Sequence, residues 1–132
     1  RVKLIASGKL ITPDRIAVVL GMGADLVNIA RGFMMSVGCI MAQRCHTNTC
    51  PAGVATTDDK LQKALVVEEK MYRVTNFLLT TREGLFRLAA GAGIDSPTKF
   101  ERKHVMYKDE KGRTYSLDEI YNTEKLDMQK SS

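Results

Sequence analysis

The stretch VKLIASGKLITPDRIAVVLGMGADLVNIARG, residues 2–32, carries a strand, a helix and a second strand in succession. Val2 to Ala6 is a short apolar run with a β-branched bias, and Ser7-Gly8 bounds it, as expected of a strand. Thr12-Pro13 is a helix start, with Thr as N-cap and Pro at the first helical position. Ile16, Val19 and Leu20 follow at helical spacing, and Gly21 and Gly23 supply the stop. Asp25-Leu26-Val27-Asn28-Ile29-Ala30 then reads as a second strand ending at Arg31-Gly32. A strand, a helix and a strand within about thirty residues form a βαβ unit, whose two strands must run parallel. The chain is therefore expected to be α/β.

Downstream the pattern changes. Thr57-Asp58-Asp59 should cap a short helix reaching about Leu65. A long amphipathic helix is expected from near Val67 to Ala90, with Met71, Val74, Leu78, Leu85 and Leu88 as its buried stripe and Gly91 closing it. Beyond Ile94 the chain turns polar. Val105-Met106-Tyr107 and Arg113-Thr114-Tyr115, separated by Asp109-Glu110-Lys111-Gly112, suggest a small hairpin. Ser116-Leu117-Asp118-Glu119 has capping-box spacing, so one or two helical turns should follow. Asn122 to Ser132 has little to bury and reads as a frayed tail. Two portions result, 1–95 and a C-terminal extension at 96–132.

Composition narrows the class. The chain has 132 residues, 44% of them hydrophobic and 27% charged, which suits one modest globular core. Near Phe77 the chain is apolar, but Thr75, Asn76, Arg82 and Glu83 interrupt it before a membrane-spanning length. Arg1-Val2-Lys3-Leu4-Ile5 is strand-like rather than the apolar core of a secretory signal. The first residue is not Met, so further residues are expected upstream. The net charge of +5 is uneven: residues 1–56 hold six Lys/Arg against two Asp, and residues 57–132 hold fourteen against thirteen acids. That basic half has no Lys/Arg cluster and no interleaved aromatics, which argues against nucleic acid; a small anion needs only one or two such charges. The odd cysteine count argues against a secreted disulfide framework and for a reducing cytoplasm. Gly21-Met22-Gly23 follows a helix and lacks a third glycine, so it is not a dinucleotide fingerprint.

All three cysteines fall within twelve residues, as Cys39-x5-Cys45-x4-Cys50 with Pro51 directly after. Buried structural thiols are the plain reading, but Arg44, His46, Thr47, Asn48 and Thr49 make the loop too polar for core. Zinc normally takes four ligands from Cys-x2–4-Cys pairs, and neither interval fits; His46, next to Cys45, is the nearest fourth candidate. A catalytic cysteine leaves two thiols unexplained. A [3Fe-4S] cluster needs one thiolate per iron, which explains three, and a proline after a ligating cysteine occurs in bacterial ferredoxins. On spacing alone the cluster, zinc and structural thiols all remain open.

The run from Gly38-Cys39 through Cys45-His46-Thr47-Asn48-Thr49-Cys50-Pro51-Ala52-Gly53-Val54-Ala55-Thr56 resembles the signature loop of glutamate synthases. In that family the pattern Cys-x5-Cys-His-x-Asn-x-Cys-x-x-Gly-x-Ala-Thr carries a [3Fe-4S] cluster beside FMN. The likeness covers about residues 2–95. It implies the C-terminal part of a (β/α)8 TIM barrel, with Val2–Ala6 and Leu26–Ala30 as its last two parallel strands, followed by a cluster loop and helices. A barrel takes about 250 residues, so two strands and their helix cannot close one. Their edges would need covering, by the rest of a larger enzyme or in a homo-oligomer.

The resemblance implies Cys39, Cys45 and Cys50 as cluster ligands. TIM barrels commonly bind phosphate with the loops after strands seven and eight and a short helix. Ser7, Gly8, Lys9, Ala30, Arg31 and Gly32 are accordingly expected to cradle the FMN phosphate, with Gly32 opening a short segment whose dipole favours an anion. Met34, Met35 and Met41 suit a cofactor pocket or a gap-filling core. The implied reaction reduces 2-iminoglutarate, formed from 2-oxoglutarate and ammonia, to glutamate. Its electron donor would be ferredoxin or an NAD(P)H-oxidising subunit. Arg31-Gly32-Phe33-Met34 departs from the Thr-Ala-Pro-Leu segment of amidotransferase-fused members and looks more like the stand-alone FMN-binding glutamate synthase-like proteins. No general acid or base is identified in this stretch. The rival reading is a non-catalytic zinc or redox-sensing module.

Overall fold

The computed structural model describes residues 2–121; the expected tail from Asn122 to Ser132 lies outside them. Strands β1 (Ile5–Ser7) and β2 (Leu26–Asn28) pair in parallel, with Ile5 opposite Leu26, Ala6 opposite Val27 and Ser7 opposite Asn28. Both strands are shorter than the stretches expected from sequence. Ahead of Ile5 the ladder gives way to Asp25, whose carboxylate accepts the Leu4 backbone N–H at 3.0 Å and the Lys3 ammonium at 2.9 Å. Past Asn28 the chain turns at once into a helix, α2 (Ala30–Ser36), so Ala30 and Arg31 lie in a helical turn and not in a strand and loop.

Helix α1 (Pro13–Gly21) joins the two strands and starts as expected, with extended Thr12 before Pro13. The Thr12 side chain makes no cap to the backbone. Its hydroxyl serves the Asp14 carboxylate instead, and that hydrogen bond is the main reason Asp14 titrates below the ordinary aspartate value. Ile16 and Ala17 are buried.

Helix α3 (Asp59–Gln62) is capped by Asp58, which accepts the N–H groups of Lys60 and Leu61 at 2.8 and 3.1 Å. Helix α4 (Val67–Gly91) is the longest element and packs on α1 and α2. Its covered face differs from the expected stripe. Val74 and Leu85 turn inward, but Met71 and Leu78 remain 55% and 53% exposed and Leu88 is exposed as well, while Thr81 and Ala89 are buried. Close approach decides this. A Cβ on Gly84 would stand 2.6 Å from Pro13 Cγ, and one on Gly32 would stand 2.7 Å from Phe77, so the helices meet where side chains are missing. Phe33 and Phe77 close the α2–α4 contact edge to face at 5.3 Å. Thr81, also buried, donates its hydroxyl to the Phe77 carbonyl one turn earlier at 2.7 Å. The helix is closed by Gly93, not Gly91: Gly93 has φ +74, with Ile94 N–H on Ala89 O and Gly93 N–H on Ala90 O, both at 3.0 Å.

The polar C-terminal stretch folds back on the helices. Single turns at Pro97–Lys99 and Arg102–His104 contact α1, and the first also contacts α4. Strands β3 (Met106–Lys108) and β4 (Thr114–Ser116) form the expected antiparallel hairpin. Ser116 caps α5 (Leu117–Ile120) through the Glu119 N–H at 3.2 Å. The core is thin: among the described residues Leu10, Ile16, Ala17, Cys50, Ala89 and Leu117 are its buried apolar members. One face of the parallel pair stays open, with Ile5 64% and Leu26 56% exposed side by side. Among the described residues no helix is long and apolar enough to cross a membrane.

Candidate functional site

Parallel strands end on the same side, so the segments leaving β1 and β2 meet. They enclose a cavity of about 330 Å³ lined by Ser7, Gly8, Lys9, Leu10, Ile11, Asn28, Ile29, Ala30 and Arg31. Five of the six residues expected to cradle a phosphate therefore lie together. Gly8 adopts φ +113 with no atom within 4 Å of its missing Cβ, and Lys9 follows at φ +55. A left-handed lysine costs conformational energy of about 1–3 kcal/mol, the kind of strain that clusters at binding loops. The Arg15 guanidinium donates to the Lys9 carbonyl at 3.4 Å and helps hold that bend. Gly32, the sixth residue, lies outside the cavity; its missing side chain serves the contact of α2 with Phe77.

A second cavity, of about 200 Å³, adjoins the first. Arg31, Met34, Met35, Cys39, Met41, Gln43 and Cys45 line it. Two of the three thiols and all three methionines noted in the sequence thus share one space, and Arg31 borders both cavities. Cys39 Sγ accepts the Met41 N–H at 3.4 Å. Cys45 opens a single exposed turn, Cys45–Thr47, that also carries His46. Cys50 is buried and does not border the second cavity. Its thiol sits below the ordinary cysteine value, first because of the Ala55 N–H, with those of Ala52, Val54 and Gly53 adding; burial works the other way. The thiolate is the form of cysteine that ligates metal.

Asn48 organises the loop, a role hidden in the sequence. It takes a left-handed conformation at φ 60 after the Cys45–Thr47 turn. Its Oδ1 accepts the Thr57 N–H at 2.7 Å, and its carbonyl accepts the Thr56 hydroxyl at 2.7 Å. The available signal was residue type, because Asn tolerates that conformation better than most. Gly53 fixes the far side. It has φ +72, and a Cβ there would meet the Leu61 carbonyl at 2.6 Å. Asn28 and Gln43 also went unmarked in the sequence, and nothing in their spacing sets them apart.

Among the described residues no three His, Cys, Asp or Glu side chains stand close enough to share a single metal ion. Iron–sulfur clusters take cysteine thiolates as their usual protein ligands, and zinc takes them as well. The loop's three thiols fit a thiolate-bound group chemically: Cys39 and Cys45 border one cavity, and Cys50, buried outside it, has backbone N–H groups that favour its ionised form.

A strand-end cavity bordered by Lys9 and Arg31, beside a loop that carries three thiols, is thus built on the βαβ unit of an α/β protein. Residues 1–95 match the conserved region of glutamate synthase, and the chain belongs to the glutamate synthase family. It is 63% identical over 120 residues to the glutamate synthase large subunit-like protein YerD of Bacillus subtilis, covering 91% of this chain and 23% of that protein. It is 38% identical over 97 residues to the NADPH glutamate synthase large chain of Azospirillum brasilense, covering 73% of this chain and 6% of that one. It is 36% identical over 96 residues to ferredoxin-dependent glutamate synthase 2 of Synechocystis, again 73% of this chain and 6% of the relative. The chain thus spans less than a quarter of the length of these relatives.

Proposed function

We propose that the full-length protein is a glutamate synthase-type oxidoreductase holding FMN and a [3Fe-4S] cluster, and that this chain supplies the seventh and eighth strands of its barrel with the loops that hold both groups. The observation that carries the reading is that Ser7, Gly8, Lys9, Ala30 and Arg31 line one cavity at the strand ends, adjoining the cavity of Cys39 and Cys45. The open Ile5–Leu26 face supports the barrel, since an interior-facing row of a closed sheet is apolar and covered by neighbouring strands. Residues 1–95 form the family portion and 96–132 an extension.

In this reading Lys9 and Arg31 neutralise and orient the FMN phosphate while the Gly8 backbone approaches it. Cys39, Cys45 and Cys50 supply the three thiolates. When bound, the two groups would provide electron transfer between cluster and flavin and hydride delivery to 2-iminoglutarate, the imine formed from 2-oxoglutarate and ammonia with loss of water. The donor is ferredoxin or an NAD(P)H-oxidising subunit; the names of relatives carry NADPH, NADH and ferredoxin.

Anaerobic reconstitution of the full-length protein tests this. About three irons per chain, acid-labile sulfide and an EPR signal from the oxidised cluster are expected, and Cys45→Ser should abolish the signal. Stoichiometric zinc without sulfide would overturn the reading in favour of a non-catalytic zinc module.

A further inference from the structure

Arg31 lies in the first turn of α2 and borders both cavities. On the strand-end side it stands with Lys9. On the thiol side it is the only charged side chain among the described residues that line the space; the others are Met34, Met35 and Met41, the amide of Gln43, and Cys39 and Cys45. Thiolates at Cys39 and Cys45 would bring negative charge to that side, and the methionines of its wall offer no countercharge. Lys70 and Arg73 stand near the Gly38 backbone but do not line the space. A guanidinium keeps its proton at any ordinary pH and has five donors in a plane, so it can face two anions at once where an ammonium acts as one point charge.

Building on the function proposed above, we propose that Arg31 is a shared positioning residue: one guanidinium both sets the charge balance of the thiol-bound centre and holds the phosphate of the flavin. The two sites are then electrostatically coupled through a single side chain. A nearby positive charge favours the reduced, more negative state of the centre, so losing it lowers the potential. Losing it also removes a charge-assisted contact to the phosphate.

Arg31 is exposed, whereas the packing of α2 on α4 runs through Gly32 and Phe33. Replacing Arg31 therefore leaves the fold in place. The test uses the full-length protein with its cluster, in Arg31→Met, Arg31→Lys and Lys9→Met forms. The midpoint potential is followed by EPR during redox titration, and the affinities for FMN and riboflavin by fluorescence after removing the flavin. Arg31→Met should shift the potential to more negative values and weaken FMN binding roughly tenfold or more, while riboflavin, which has no phosphate, binds as before. Arg31→Lys should restore most of the potential and less of the FMN affinity. Lys9 borders the strand-end cavity alone, so Lys9→Met should weaken FMN binding and leave the potential unchanged. If Arg31→Met moves neither quantity, or only one, the shared role is overturned. If the unaltered protein assembles no iron and sulfide, the underlying function fails first, and iron analysis of that protein distinguishes the two failures.

Discussion

Single residues decide whether the thiol loop holds its shape. Met41, Gln43 and Asn48 all take left-handed conformations there, and of these Asn48 alone is a type that adopts it at little cost. Asn48→Ala removes both that preference and the acceptor for the Thr57 N–H. The loop should lose about 0.5–1.5 kcal/mol of local stability. Limited proteolysis between residues 44 and 57 should show faster cleavage, with helix content by circular dichroism unchanged; equal cleavage rates would remove Asn48 from this role. The thiols themselves were legible because three cysteines in twelve residues is a rare density. The family pattern marks Asn48 as a position but not its role, which lies in a backbone angle and a partner nine positions away.

Secondary-structure elements were read well where their signals are local and less well where packing decides. The Thr12-Pro13 start of α1, the Asp58 cap of α3 and the Ser116 cap of α5 all form, because each depends on side chains within a few residues. The buried stripe of α4 was misplaced because hydrophobic spacing favours large residues, whereas the true contact centres on Gly84, Thr81 and Ala89. Gly84→Ala should therefore destabilise by about 1–3 kcal/mol, although alanine normally favours a helix. Urea unfolding checks the sign, and a gain in stability would show that α4 does not rest on Pro13. The α1 start carries a pH effect. Asp14 is depressed in the folded state, so its contribution is full above the unfolded value near 4 and is lost as pH falls through the lower folded value. Asp14→Asn should flatten the dependence of stability on pH in that acid range, measured by thermal melts, while leaving neutral-pH helix content intact.

At the scale of the whole molecule, βαβ topology and parallel pairing followed from the order of elements, and the strand ends met as that order requires. The shortness of β1 and β2 did not follow, because the Leu4 N–H goes to the Asp25 side chain while its carbonyl keeps backbone partners, and α2 begins at Ala30. The same molecule leaves Ile5 and Leu26 exposed beside the strand-end cavity. A flavin needs more than its phosphate held. Phosphate contacts contribute orientation and a few charge-assisted hydrogen bonds, each worth roughly 1.5–3 kcal/mol. Immobilising the ligand costs a similar or larger amount, and among the described residues no third strand joins β1 and β2 at the cavity of about 330 Å³ to stack or bond the isoalloxazine ring. The 132-residue chain by itself should consequently show no saturable change in flavin fluorescence when FMN is titrated at micromolar protein. One-to-one binding at low micromolar affinity would mean that the ring is held by residues already present, and would move the flavin pocket away from the open strand face toward the methionine-lined cavity beside Cys39.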